Sequence, residues 1–88
     1  MKITFSYFAQ IRQQAGVESE IIEMPEGTTA LAALQAVDHG PEFQALVFTE
    51  SGALHPVILL IVNEEVAAPD SLLKDGDRVQ VFSPVAGG

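Results

Sequence analysis

Cysteine is absent from this sequence of 88 residues. The chain therefore has no disulfide framework, no thiolate nucleophile and no cysteine ligand for a metal ion, which excludes a small secreted domain held together by disulfides. Long apolar runs are also missing, because the longest, residues 57–62, is far too short to span a bilayer. The first residues alternate polar and apolar side chains and do not form a targeting segment. We expect a cytoplasmic domain.

Positive charge is scarce. Four Lys and Arg residues stand against twelve Asp and Glu, which gives a formal net charge of −8. Nucleic acids and anionic membrane surfaces attract cationic proteins, so this balance argues against both kinds of partner. A protein with a basic surface is a more natural partner, because complementary charges accelerate encounter.

Hydrophobic residues make up 48% of the chain, which is enough for one small core. Apolar patterns predict strands at residues 2–8, 18–24, 57–62 and 78–82, with a brief strand that starts at Val66. The first two strands are close in sequence and are expected to pair antiparallel. After the second strand, Thr28 or Thr29 is expected to cap a helix that ends at residues 39–41. The sequence thus predicts an α+β domain over residues 1–82, followed by an extended tail over residues 83–88.

Shorter segments give weaker signals. Residues 9–16 have the character of a helical turn that ends at Gly16, and residues 42–55 contain a possible second turn at Phe43, Leu46 and Val47. Asp75-Gly76-Asp77 predicts a tight turn before the last strand.

A single main helix covers only one face of such a sheet. Its apolar stripe consists of Leu31, Leu34 and Val37. The strand residues expected beneath it are Ile3, Phe5, Val79 and Val81.

Phe8 and Phe82 fall on the opposite face, beside alternate residues of the 57–62 strand, of which Leu60 is the expected contact residue. An unbroken apolar run predicts a strand covered on both faces, by the fold itself or by a partner. The uncovered aromatics favour an interaction surface, although isolated surface aromatics are ordinary.

Conventional catalytic groups are missing from the sequence. His39 and His55 are its only histidines, and neither accompanies a nucleophile or a set of metal ligands, so both are interpreted as structural or solvated. The acidic pairs Glu64-Glu65 and Asp75/Asp77 occupy predicted turns, where such residues solvate the chain. We predict no metal site and no bound cofactor.

The C-terminal end is the most unusual feature, because the chain finishes with two glycines. A plain flexible tail is one interpretation. The other is a carboxylate that must enter another protein's active site, since glycine has no Cβ to clash in a narrow channel and accepts backbone angles closed to other residues. Pro84 would stiffen the base of such a tail.

Several segments together resemble a known family. They are Phe8-Ala9-Gln10-Ile11-Arg12, Gly27-Thr28-Thr29, Val62-Asn63, Leu73-Lys74-Asp75-Gly76-Asp77-Arg78-Val79 and Phe82-Ser83-Pro84-Val85-Ala86-Gly87-Gly88. In this order along the whole chain, they resemble the ubiquitin-like sulfur carriers, and among these the small subunits of molybdopterin synthase. The resemblance implies the β-grasp fold of ubiquitin, a mixed sheet of four to five strands with one main helix on one face.

The resemblance also implies a role. A ubiquitin-activating-type adenylating enzyme would use ATP to adenylate Gly88, and a sulfur donor protein would convert the adenylate to a thiocarboxylate. The tail residues Pro84, Val85, Ala86 and Gly87 would insert into the large subunit of molybdopterin synthase, where the sulfur passes to a cyclic pterin precursor. Phe8, Phe82 and Leu60 would contact partners, and Arg12 would bind either a partner carboxylate or a residue of its own chain.

Two other functions stay open. Sister carriers serve thiamine, cysteine or tRNA thiolation, or are conjugated to proteins. A plain interaction domain with incidental glycines is the third possibility. The family often carries Asn-Gly in the turn where this chain has Asn63-Glu64-Glu65, and often proline in place of Ser83.

Overall fold

A computed structural model describes residues 1–83. The helices and strands within this range, in chain order, are β1 (Lys2–Tyr7), α1 (Ala9–Ala15), β2 (Ser19–Glu23), α2 (Ala30–Gln35), α3 (Pro41–Val47), β3 (Leu59–Val62), β4 (Glu65–Ala67) and β5 (Arg78–Phe82). The predictions for Pro84, Val85, Ala86, Gly87 and Gly88 lie outside the described residues.

The strands of residues 1–83 form one mixed sheet in the order β2-β1-β5-β3-β4. Strand β1 pairs antiparallel with β2, as predicted, and parallel with β5, so that Phe5 lies opposite Val79. Strand β3 pairs antiparallel with both β5 and β4. The last strand of the sequence is therefore the middle strand of the sheet.

The core lies on one side of this sheet, which we call the covered face. The strand residues that point into it are fully or almost fully buried and include Ile3, Phe5, Val79 and Val81, as predicted. Among the predicted helix residues, Leu34 and Val37 are buried and Leu31 is half-buried. The predicted parity of the first and last strands is thus confirmed.

Within residues 1–83, the predicted helix is α2, and two further short helices, α1 and α3, cover this face together with it. Helix α2 has only six residues and is about 9 Å long, too short to cover five strands. Helix α1 adds the buried Ile11, and α3 adds the buried Phe43 and Val47. The weak helical signals on either side of α2 are therefore structural parts of the core.

Local chemistry explains where α2 and α3 begin. The Thr29 hydroxyl accepts a hydrogen bond from the Ala32 N–H at 3.1 Å, which caps α2 as one of the two predicted threonines. Thr28 donates instead to the Pro25 carbonyl. Pro41 occupies the first turn of α3, where its missing N–H costs no hydrogen bond.

Candidate docking surface on the open face of the sheet

On its second side, the sheet carries no helix formed by residues 1–83, and we call this side the open face. The strand register assigns to it the residues of opposite parity from the core. Its members, in order across the sheet, are Ser19, Ile21, Glu23, Lys2, Thr4, Ser6, Arg78, Gln80, Phe82, Leu59, Ile61 and Val66. Ile21 and Val66, on the two edge strands, are 67% and 72% exposed. Apolar side chains thus lie on both edges of this face and at the end of β5, whereas its β1 residues and the start of β5 are polar.

An aromatic pair lies at one end of the open face. Tyr7 is opposite Val81 in the parallel β1–β5 pair, so the residues that follow them, Phe8 and Phe82, are neighbours. Their rings stack with centroids 4.3 Å apart and planes within 7° of parallel. Leu59 lies opposite Phe82 on β3 and is 37% exposed. We call Phe8, Phe82 and Leu59 the aromatic patch, and it confirms the predicted side for both phenylalanines.

The prediction that Leu60 belongs to this surface was wrong. Leu60 is 1% exposed and lies opposite Val81 on the covered face. Its neighbours Leu59 and Ile61 face the open side instead. An all-apolar run has no alternation from which its parity follows, so the sequence alone did not distinguish the two assignments. Because Leu59 remains exposed, the fold described by residues 1–83 covers β3 on only one face.

Arg12 borders the aromatic patch. It lines a shallow depression together with Ser6 and Phe8. Its Nη1 atom is 3.8 Å from the Glu18 carboxylate, and both side chains are largely exposed. An exposed ion pair of this kind stabilises a protein by less than about 1 kcal/mol. Arg12 therefore has an internal partner, as one of the two sequence interpretations proposed, but is held there only weakly.

A polar depression occupies the other end of the open face. It has a volume of about 400 Å³ and is lined by Ser6, Asn63, Glu64, Arg78 and Gln80. Arg78 and Gln80 belong to the central strand β5, and Ser6 belongs to its neighbour β1. Asn63 and Glu64 form the two-residue turn between β3 and β4, so they lie at the rim.

Side-chain hydrogen bonds fix the turn at this rim. The buried Asp77 carboxylate accepts from Asn63 Nδ2 at 2.7 Å and from the Lys74 N–H at 2.8 Å. The Asn63 Oδ1 atom in turn accepts from the Arg78 N–H at 3.0 Å. Asn63 and Glu64 both have positive φ, of 50° and 72°, which is the geometry of a type I′ turn. Glutamate is a poor residue for this conformation, and the family's Asn-Gly fits it better.

The predicted turn at Asp75-Gly76-Asp77 is confirmed. Gly76 has a φ of 85°, a conformation that favours glycine. Its N–H donates to the Lys2 carbonyl at 2.8 Å, and Asp75 Oδ1 accepts from the Lys2 N–H at 2.7 Å. These bonds join the entrance of β5 to the start of β1, and they show that Asp75 and Asp77 act structurally.

His39 also has structural partners. His39 Nε2 contacts a Glu20 carboxylate oxygen that accepts a further hydrogen bond from the Tyr7 hydroxyl. The imidazole ring packs edge-on against Tyr7 and Phe43. Burial, the hydrogen bond with Glu20 and its negative charge raise the pKa of Tyr7. These contacts tie the edge strand β2 to the segment between α2 and α3, which supports the structural interpretation of His39.

Residues 1–83 form neither a cluster of metal ligands nor a membrane-spanning helix. In this range no three His, Cys, Asp or Glu side chains lie close enough together to hold a metal ion. No helix of the described chain is long and apolar enough to cross a membrane. The features that stand out are thus the aromatic patch and the polar depression on the open face.

Comparison with known proteins identifies the family of this chain. The ThiS family model matches residues 5–88. The molybdopterin synthase sulfur carrier subunit of Chlamydomonas reinhardtii is 30% identical over 93 residues, which cover all of both chains. Small archaeal modifier protein 1 of Haloferax volcanii is 32% identical over 82 residues, covering 92% of this chain and 94% of its own.

Solved structures show the same fold. The crystal structure of SAMP1 from Haloferax volcanii matches with a TM-score of 0.90 and 29% identity, and all of both chains is covered. CysO in the BexX/CysO complex of Amycolatopsis orientalis matches with a TM-score of 0.73 and 27% identity, over 98% of this chain and 99% of that one. The fold is the predicted ubiquitin-like β-grasp. The chain belongs to the ThiS family, whose members are ubiquitin-like sulfur carriers that work with partner enzymes.

Proposed function

We propose that this protein is the sulfur carrier subunit of a molybdopterin synthase. The full-length similarity to a relative of that name supports the pathway. The observation that carries the proposal is the aromatic patch beside the end of β5, where the chain continues through Ser83 into the Gly-Gly tail. A partner that docks on this patch has the tail within reach of its active site.

The proposed chemistry takes place at Gly88. A partner adenylating enzyme transfers AMP from ATP to the terminal carboxylate and releases pyrophosphate. This step is needed because a carboxylate is a poor electrophile, whereas AMP is a good leaving group. A sulfur donor protein then delivers sulfur at the oxidation level of sulfide, which attacks the acyl carbon, expels AMP and leaves a thiocarboxylate on Gly88.

The second half of the proposed cycle takes place in the large subunit. The tail residues 84–87 enter that subunit, and the thiocarboxylate passes its sulfur to a cyclic pterin precursor. Water cleaves the bond between the Gly88 acyl carbon and the transferred sulfur, which restores the carboxylate for another activation. Two such transfers build a dithiolene. The absence of cysteine fits this chemistry, because the sulfur travels on the chain terminus and needs no thiol side chain.

The folded domain contributes positioning and not bond chemistry. Phe82 belongs to β5, and in the same strand Val79 and Val81 are completely buried. Phe82 is therefore positioned by a strand whose alternate side chains are anchored in the core. Hydrophobic anchors of this kind supply much of the binding energy in protein interfaces.

The first experiment is the intact mass of the protein after incubation with a cognate adenylating enzyme, ATP and a sulfide source. We expect the increase that corresponds to exchange of one oxygen for sulfur, and its loss when Gly88 is deleted. Adding the large subunit and the pterin precursor should return the mass to its starting value. No mass change with several active adenylating enzymes would contradict a carrier function.

A second candidate function is protein modification, which the similarity to small archaeal modifier protein 1 favours. In that case the activated Gly88 would form an amide with a lysine of another protein. Mass spectrometry of tryptic peptides from cells that express the tagged protein would detect the modified lysines. Their presence, together with failure of sulfur transfer to the pterin precursor, would favour the modifier over the synthase subunit.

A further inference from the structure

The open face has two chemically different ends, and one strand connects them. Phe82 at the end of β5 belongs to the aromatic patch, and Arg78 at its start belongs to the polar depression. The two residues are four steps apart along an extended strand, which corresponds to about 13 Å. A partner that covers the open face must satisfy both ends at this spacing.

The inner part of the depression offers hydrogen-bond donors. Arg78, Gln80 and Ser6 come from the two central strands, and they provide a guanidinium, a carboxamide and a hydroxyl group. Arg78 is exposed, and neither ion pair found in residues 1–83 involves it. At the rim, Asn63 already donates to Asp77. Glu64 is the one acidic group that lines the depression, and it sits on the turn outside the central strands.

We propose that the polar depression binds a carboxylate side chain of the docking partner. Arg78 is the principal ligand, because a guanidinium pairs with a carboxylate through two parallel hydrogen bonds. An apolar side chain of the same partner packs on the aromatic patch, about 13 Å away. This inference rests on the proposed function, since it assumes that the partner enzymes dock on the open face.

The net charge of −8 predicts a basic partner, but the charges of the open face are different. Three of the four Lys and Arg residues of the chain, Lys2, Arg12 and Arg78, lie on it or at its border. The open face is therefore richer in cations than the rest of the domain. A basic partner is attracted over a long distance by that remainder, whereas contact within the depression is decided by Arg78.

The test measures the affinity of the full chain for the cognate adenylating enzyme. Arg78→Gln should weaken binding about tenfold, the effect of removing one charged hydrogen-bonding partner. Arg78→Lys should recover part of that loss, since it restores the charge but not the planar fork. Glu64→Gln should tighten binding a few-fold, because it removes a negative charge at the lining of the depression that would repel the partner's carboxylate. Lys74→Gln, which removes a cation outside the depression, is the matched control and should leave affinity unchanged.

The opposite pattern would overturn the proposal. If Arg78→Gln binds as well as the unmodified protein, or if Glu64→Gln weakens binding, the depression does not bind a carboxylate of the partner. It then binds either a cationic group or no group of the partner. Thermal unfolding of each variant separates a lost contact from a lost fold. The mass measurement, made on the unmodified protein and on Arg78→Gln, keeps the two proposals apart. If Arg78→Gln forms the thiocarboxylate equally well and binds with unchanged affinity, only the carboxylate site is contradicted. If no adenylating enzyme binds or modifies the protein, both proposals are wrong.

Discussion

The two faces of the sheet are built from the same five strands but differ in almost every physical property. On β5, Val79 and Val81 are completely buried, whereas Arg78 is exposed and Phe82 is only partly covered. Adjacent residues therefore differ in role: one parity stabilises the domain, and the other forms the proposed docking surface. Because of this separation, substitutions on one face should change stability, and those on the other should change binding.

The largest expected effect is on the covered face. Leu34→Ala removes a completely buried side chain from α2 and should lower the free energy of unfolding by about 2–5 kcal/mol. Ile21→Ala on the open face is the control, and we expect a loss below about 0.5 kcal/mol because that side chain is mostly exposed. Urea unfolding of both variants tests the contrast. Equal losses would mean that an open-face side chain contributes as much to stability as a core side chain.

The open face should show the reverse behaviour. Phe82→Asp places a charge in the aromatic patch, and we expect it to weaken binding to the adenylating enzyme roughly 30-fold or more. The monomer should stay folded, with a smaller loss of stability than Leu34→Ala. Val66→Asp adds the same charge on the same face at the outer edge and serves as the control. An unfolded Phe82→Asp protein would show that Phe82 belongs to the core.

A smaller effect is expected at the edge of the covered face, where Tyr7 donates to Glu20. Tyr7→Phe removes this hydrogen bond and should cost about 1 kcal/mol at neutral pH. Burial, followed by the hydrogen bond and charge of Glu20, raises the pKa of Tyr7, so folding favours the neutral phenol. Stability from this source is complete below about pH 10, the pKa of an unfolded tyrosine, and declines at higher pH.

Urea unfolding at several pH values tests this sign. The unmodified protein should lose stability above about pH 10 more steeply than Tyr7→Phe. Tyr7 is the only tyrosine in the sequence, so the ultraviolet titration of the folded protein reports this group alone. An ordinary tyrosine titration in the folded state would contradict the buried hydrogen bond.

The smallest effect concerns the turn at the rim of the depression. Glu64→Gly relieves a positive φ at a residue with a side chain and should stabilise the domain by about 0.5–1 kcal/mol, after the greater entropy of glycine in the unfolded chain is subtracted. Asn63→Gly at the neighbouring position should destabilise it, because the Asn63 side chain bonds to Asp77 and to the Arg78 N–H. Thermal unfolding would show both signs, and stabilisation by Asn63→Gly would contradict the role of those hydrogen bonds.

Much of the fold was predictable because the sequence alternates clearly where one face of a strand is buried. The parity of β1 and β5, the antiparallel pairing of β1 with β2 and the turn at Gly76 all followed from local patterns. The run at residues 57–62 lacks alternation, and for this reason Leu60 was assigned to the wrong face. Helix α3 was underestimated, although Pro41 at its first turn is a recognisable start signal.

The site was predictable only in part. Phe8 and Phe82 were identified because their strands had the correct parity, but their stacking depends on the parallel register of β1 and β5. The polar depression collects residues from three separate segments, and no local pattern joins Ser6 with Asn63 and Arg78. The contact of Glu20 with Tyr7 and His39 was missed for the same reason.

The middle position of β5 also determines when the domain can fold. Until residues 78–82 have been synthesised, the β1–β2 pair and the β3–β4 hairpin have no shared neighbour, and isolated strand pairs are only marginally stable. Pairing between segments so distant in sequence is slow, and the nascent chain keeps its apolar strands exposed in the meantime. A chain cut short before β5 therefore lacks Phe82 and cannot form the proposed aromatic patch. Newly made copies acquire the proposed docking surface only once the central strand is in place.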